Sequence, residues 1–285
     1  MDAAARRRAT AAAMSTAAEL DLAVDDGIVL SDSNRLVIRL TPCDVVARVA
    51  PITHFASVQR EVDVVRQLAQ VDGPVAALDA RVEPRVFVRA GFEITMWAYL
   101  EPVRSRTVPP AEYAQALGRL HTGLRRIEVP APHVMDRVAA VRRDVASRAV
   151  TPDLADTDRA LLADTLRELG RSIVDRRAPE QLLHGEPHPG NVLATKDGPL
   201  FIDFENTAHG PVEYDLAWAP REVGQLRSDA DHDLVGECRA VVLAIVAAHR
   251  WNRNDRHPSG RESGVAFLHA LREGPPWPAL DDVVW

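Results

Sequence analysis

Lysine is almost missing from this chain: Lys196 is the only one in 285 residues, so nearly all of the 34 basic residues are arginines. Any step that chemistry normally gives to a lysine ammonium therefore falls to a guanidinium or is dispensed with. Cysteine is scarce as well. Cys43 and Cys238, far apart in the chain, exclude a disulfide framework or a cysteine-rich zinc site, and a reducing, cytoplasmic setting is expected. Positive charge is outweighed, with a net of −7 at neutral pH. Without a basic surplus to replace phosphate counterions, no grip on nucleic acid is expected. Long apolar runs are absent too: Ala240–Ala248, the most apolar stretch, is about half the length needed to cross a bilayer, which excludes a membrane-embedded protein. The first residues carry Arg6-Arg7-Arg8 within an alanine-rich stretch and lack the apolar centre of a secretory signal. Residues 1–23 read as a flexible arm, frayed or left by a start upstream of Met14.

What is present is enough for a core: 46% of the chain is hydrophobic and 26% charged, the balance of an ordinary globular protein of one large domain or two lobes. From Ile28 to Ala50 short β-rich runs (Ile28–Leu30, Leu36–Ile38, Val45–Val49) alternate with polar turns such as Ser31-Asp-Ser-Asn34, the pattern of a β-meander. Thr53 then offers a helix cap, and Phe55, Val58, Val62, Val65 and Leu68 recur at helical spacing. At ~100° per residue Glu61 falls inside that apolar arc, between Leu68 and Val65. A carboxylate on a buried face needs a partner, and Arg48 is the nearest preceding strand cation with apolar flanks.

Two more β-like runs, Arg85–Arg89 and Glu93–Leu100, close this part; beyond Val103 the pattern becomes helical, over about Ala111–Ile127, Met135–Arg148 and Asp156–Arg176. Leu182-Leu183 precede the segment His184-Gly-Glu-Pro-His-Pro-Gly-Asn191. Two strands, Asn191–Ala194 and Leu200–Phe204, follow, joined by the hairpin signal Lys196-Asp-Gly198. From Asp215 onward the chain reads as mainly helical with a Pro/Trp-rich tail. Cys238 reads as core, Asp229, Asp231 and Asp233 as a solvated helix start, and Trp251, Trp277 and Trp285 as packing anchors. The His-x-Glu of the loop is shared with zinc deaminases, but the Pro-Cys-x-x-Cys that would complete their metal site is missing.

His184–Asn191, followed by Phe201-Ile-Asp-Phe-Glu205 and Glu213-Tyr-Asp-Leu-Ala217, resembles the catalytic segment of the aminoglycoside phosphotransferase and choline kinase-like family, and weaker likeness extends over about Ile28–Ala248. That resemblance implies an α+β, bilobal protein kinase-like fold. A β-rich N-lobe with one main helix (24–102) binds nucleotide, and a larger, mostly helical C-lobe (103–285) carries catalysis and the acceptor site. It implies transfer of the γ-phosphoryl group of ATP or GTP, with Mg²⁺, to a hydroxyl of a small molecule such as an aminoglycoside, another antibiotic or an amino sugar. By the same resemblance Asn191 and Asp203 are the metal-binding positions, and their hard oxygens suit that task. Glu186 stands where the family has its catalytic aspartate, and His184, His188 and Asp215 support the site. Arg48 stands where the family holds ATP phosphates with a lysine, with Glu61 as its helix partner. The phosphate loop corresponds to Ser31, Ser33 and Asn34, without the family's glycines. Backbone groups of the connector, at Ala98 and Leu100, take the adenine edge. The added methylene of Glu186, Arg48 in place of lysine and the glycine-poor loop support one alternative, a kinase-like pseudoenzyme that binds nucleotide or ligand without transferring phosphate.

Overall fold

In the computed structural model every residue is described except 34, 53, 54, 102, 104–106, 284 and 285. The phosphate-loop Asn34, the cap at Thr53 and the tail residue Trp285 lie outside the described residues.

The N-terminus is the first correction: in place of a flexible arm, Ala3–Glu19 forms helix α1, capped by Asp2, whose carboxylate accepts from the Ala5 amide at 2.7 Å. Alanine is the best helix former, and a face of methyl groups (Ala9, Ala12, Ala13, Ala17) lets the helix settle on a sheet without protruding side chains. The amino terminus of Met1 and the Arg6 guanidinium both reach Asp32, at 2.8 and 2.9 Å, fastening the helix to the strand it covers. That strand is β1 (Val24–Asp32), followed by β2 (Leu36–Pro42), β3 (Val45–Pro51), helix α2 (Phe55–Ala69), β4 (Phe87–Arg89) and β5 (Phe92–Ala98). The strands form one antiparallel sheet in the order β1-β2-β3-β5-β4. Strand alternation sorts its faces. Leu36, Ile38, Leu40, Val45, Ala47 and Val49 are fully buried in the α1 cluster. Arg48, opposite Val37 and Thr95 in the ladder, takes the other parity. On α2, Val58, Val62, Val65 and Leu68 are buried, and Glu61 with them.

Next come α3 (Pro110–Leu124), α4 (Val134–Ala146), α5 (Asp156–Asp175), β6 (Glu180–Leu183), β7 (Val192–Thr195), β8 (Gly198–Phe201) and β9 (Ala208–Pro211). Helices α6 (Val212–Trp218), α7 (Arg221–Gln225), α8 (His232–Arg250) and α9 (Gly260–Glu273) complete the order. The chain divides into two compact units that interleave in sequence. The first comprises Met1–Thr107, Thr122–Pro130 and Leu193–Asn206; the second comprises Val108–His121, Ala131–Val192 and Thr207–Trp285. Sequence reading has residues 103–285 as one continuous lobe, but the β7–β8 hairpin goes with the first unit. The cause is backbone pairing: the Phe201 amide donates to Pro74 O at 2.8 Å and the Ala76 amide to Phe201 O at 3.0 Å.

The second unit is built on α8, whose Leu234, Cys238, Val241, Val242, Ile245 and Ala248 are buried in one core with Val134, Val138, Leu162, Leu166, Trp218 and Phe267. Burial pushes the Cys238 thiol well above its usual pKa, so it is inert core. Asp231 caps α8, accepting from the Asp233 and Leu234 amides, and Trp251 and Trp277 pack against the core, partly buried.

Candidate functional site

In the first unit the polar residues converge on Glu61. Glu61 lies fully buried on the apolar face of α2, among Val58, Val62 and Val65, where its carboxylate meets groups sent by the sheet and the hairpin. One oxygen accepts from Arg48 on β3 and the other from Arg35 at the head of β2. The Phe204 amide also donates to Glu61, at 3.2 Å. Each arginine has a second carboxylate: Arg48 Nη2 lies 2.8 Å from Asp203 Oδ1, and Arg35 donates to Glu205. Asp203, just past β8, has φ of 69°, a left-handed conformation that aspartate adopts more readily than most residues but still at some cost. Burial works against the charge of Arg48, yet Glu61 and Asp203 outweigh it and raise its pKa; Arg35 is raised likewise, against burial, by Glu61 and Glu205. Burial pushes the Glu205 carboxyl up, opposed by Arg35 and reinforced by Asp203 and Glu61. The cluster thus sets Arg35 and Arg48 against Glu61, Asp203 and Glu205, and negative charge is in excess.

Sequence reading pairs Glu61 with Arg48 and misses Arg35 and Glu205. Strand parity carried a signal for the first: Arg35 shares its side of β2 with Val37, the cross-strand neighbour of Arg48. Glu205 sits inside the quoted Phe201–Glu205 segment. Of the expected phosphate-loop donors, Ser31 and Ser33 are exposed, but the Ser33 amide is used, donating to Arg35 O at 3.3 Å. The Ala98 amide donates to Ala77 O at 3.0 Å and the Tyr99 amide to Asp44 O at 3.2 Å, while Leu100 is half-buried.

In the second unit the segment after β6 is held at almost every residue. Asp215, fully buried at the centre of α6, accepts from the His184 amide at 3.0 Å, the Gly185 amide at 2.8 Å and His121 Nε2 at 2.9 Å. Gly185 turns the chain at φ 88°, where a side chain would be strained. His184 Nδ1 accepts from the Glu186 amide at 3.3 Å, and His188 Nδ1 from the Gly190 amide at 3.0 Å. The hydroxyl of Tyr113, on α3, donates to Pro187 O. Asn191 Nδ2 donates to Glu186 O at 2.9 Å, which directs its Oδ1 away from the loop. The Glu186 side chain is set by a residue that sequence reading missed. Arg137 on α4 donates from Nη2 to Glu186 Oε2 at 3.1 Å and lies over the Trp218 ring, 5.0 Å from its centroid. Its signal was positional: three residues after Val134 and four before Val141, both buried, Arg137 flanks the apolar seam of α4.

The Phosphotransferase enzyme family profile matches residues 30–242, and the chain belongs to that family. Its fold is α+β, of the protein kinase-like class. Among solved structures, the amicoumacin kinase hAmiN in complex with AMP-PNP, Ca²⁺ and Ami is similar, with a TM-score of 0.72 and 13% identity over 98% of each chain. A GDP and kanamycin complex of an aminoglycoside 2″-phosphotransferase aligns with a TM-score of 0.64 and 15% identity, over 92% of this chain and 98% of that one. Choline kinase LicA from Streptococcus pneumoniae aligns with a TM-score of 0.66 and 12% identity, over 91% and 96%. No curated protein matches.

Sequence reading assigns Mg²⁺ to Asn191 and Asp203. Among the described residues no group of three or more His, Cys, Asp or Glu forms a metal site of its own. Each donor, taken in its own unit, is of a type that suits a hard cation. Asp203 is a partly exposed carboxylate beside an excess of negative charge, and the Asn191 amide is oriented by its nitrogen, leaving an oxygen to present.

Proposed function

We propose that this chain is a small-molecule kinase that moves the γ-phosphoryl group of ATP or GTP to a hydroxyl. The acceptor oxygen forms its bond to phosphorus, the bond to the bridging oxygen of the nucleoside diphosphate breaks, and the hydroxyl proton passes to the Glu186 carboxylate. Asp203 and Asn191 Oδ1 would hold Mg²⁺, which supplies neutralisation of the phosphate charge. Arg48, braced by Glu61, stands in for the usual lysine as the cation toward the nucleotide phosphates.

The observation that carries this reading is the His184–Asn191 loop. Asp215, His184, His188 and Tyr113 pin the backbone on both sides of Glu186. A carboxylate one methylene longer than aspartate can serve when its backbone and head are both fixed, since a displacement of about 1 Å costs ~10²-fold in rate. Arg137 fixes the head. Amicoumacin, kanamycin and choline, which belong to the similar kinases, indicate the range of acceptors, and Arg137 disfavours one that brings a cation to that side of Glu186.

One observation favours the pseudoenzyme: both ends of the Arg48 guanidinium are engaged by carboxylates. A panel of hydroxyl compounds with radiolabelled ATP and Mg²⁺ separates the readings. The kinase reading expects turnover by the native chain, its loss in Asp203→Asn and Glu186→Ala, and partial activity in Glu186→Asp. Unchanged transfer in Asp203→Asn refutes the site, and nucleotide binding without turnover by any form supports the pseudoenzyme.

A further inference from the structure

A second feature of the second unit belongs to neither cluster. Between α7 and the first turns of α8 lies a cavity of about 310 Å³ lined by Arg221, Gly224, Gln225, His232, Val235 and Arg239. In a chain with net charge −7, this lining holds two arginines, a histidine, an amide and no carboxylate. Arg221 is tethered from outside, its Nη2 2.6 Å from Asp282. Arg239 has no such tether. Its Nε is buried without an acceptor, and among the described residues no carboxylate pairs with its guanidinium. Burial, reinforced by Arg221, holds its pKa below the ordinary arginine value, with Asp282 and Asp281 offsetting only part. The guanidinium lies close to α7: a Cβ at Gly224 would stand 3.4 Å from Arg239 Nη2, ordinary contact distance.

A buried donor without an acceptor costs stability, and a partly desolvated guanidinium beside a second one adds to that cost. Long arginine side chains normally escape by swinging to solvent or to a carboxylate. This one is held in a cavity with room for an acceptor. Arg221 spends Nε and Nη2 on Asp282, so Arg239 supplies the open fork, and its planar donors match the oxygens of a phosphate group. We propose that this cavity binds a phosphate group, free or as the head of a small phosphomonoester, with Arg239 as its principal contact and Arg221, His232 and Gln225 around it. The site is separate from the residues assigned to phosphoryl transfer and does not depend on that assignment.

Isothermal titration calorimetry with inorganic phosphate and, in a second arm, glycerol 3-phosphate tests it, on the full chain and on Arg239→Gln, Gln225→Glu and Asp203→Asn. Gln225 is exposed, so its glutamate variant places a carboxylate at the rim without disturbing the core and decides the matter even if Arg239→Gln fails to fold. The native chain and Asp203→Asn should bind one equivalent in at least one arm. Arg239→Gln and Gln225→Glu should bind about tenfold more weakly or less, the loss one charge-assisted hydrogen bond carries. A stronger response in the second arm identifies the phosphomonoester as the ligand. No binding by the native chain, or equal binding by the native chain and Gln225→Glu, overturns the proposal. So does loss of binding confined to Asp203→Asn.

Discussion

Replacing Glu61 by glutamine keeps shape and volume and removes one charge, so it isolates what that charge does. The carboxylate is fully buried and accepts from Arg35, Arg48 and the Phe204 amide. Glutamine retains one carbonyl oxygen, but its amide group turns a donor toward a guanidinium that is also a donor. Breaking a buried ion pair from one side costs about 3–5 kcal/mol, because the other charge stays buried. Here each arginine keeps one carboxylate, Arg35 with Glu205 and Arg48 with Asp203, which places the cost near the lower end, about 3 kcal/mol. Against a total of about 5–15 kcal/mol the variant should fold. Its midpoint should drop by about 6–12 °C at the ~2–4 °C per kcal/mol expected of a larger chain. Urea titration followed by tryptophan fluorescence is a direct readout, since the Trp97 ring lies 5.5 Å from the Arg48 guanidinium carbon. A double-mutant cycle with Arg35→Met should give a coupling of about 1–3 kcal/mol. A loss below about 1 kcal/mol, or additive effects in the cycle, would refute the idea that Glu61 holds both arginines.

Arg137→Gln should lower kcat about 10²-fold with little change in KM, because it releases the Glu186 carboxylate while leaving the loop backbone in place; Arg137→Lys should recover part of it, and equal activity of all three forms would remove Arg137 from the site. Ala13→Leu probes the N-terminal helix: Ala13 is fully buried on the sheet, so the larger side chain should cost about 1–3 kcal/mol in urea unfolding, whereas unchanged stability would return the segment to the status of a loose arm.

Much of the architecture was legible because it rests on local periodicity. The β-meander, the amphipathic helix around Glu61, the hairpin at Lys196–Gly198 and the helices of the second unit all lie where alternation and helical spacing put them. The angle of Glu61 on α2 puts it inside the apolar arc, but a charge at the edge of such a stripe is usually solvated, and it is the family resemblance that favours burial. Helix α1 was hidden for the complementary reason. Alanine carries almost no amphipathic signal, so its helicity depends on propensity and on a sheet that only the folded chain provides.

What the sequence determined by itself was the set of chemical groups and their order along the chain: a loop with Glu186 and Asn191, a hairpin ending at Asp203, and an almost lysine-free composition that leaves cationic work to arginine. Partnership was decided only in three dimensions. That Arg35 completes the Glu61 cluster, that Arg137 grips Glu186, that the Ala98 amide is spent on Ala77 and that Arg239 faces a cavity with no carboxylate are contacts between residues far apart in sequence. Electrostatic and hydrogen-bond partners act over a few ångströms of space, and sequence separation carries no record of that distance.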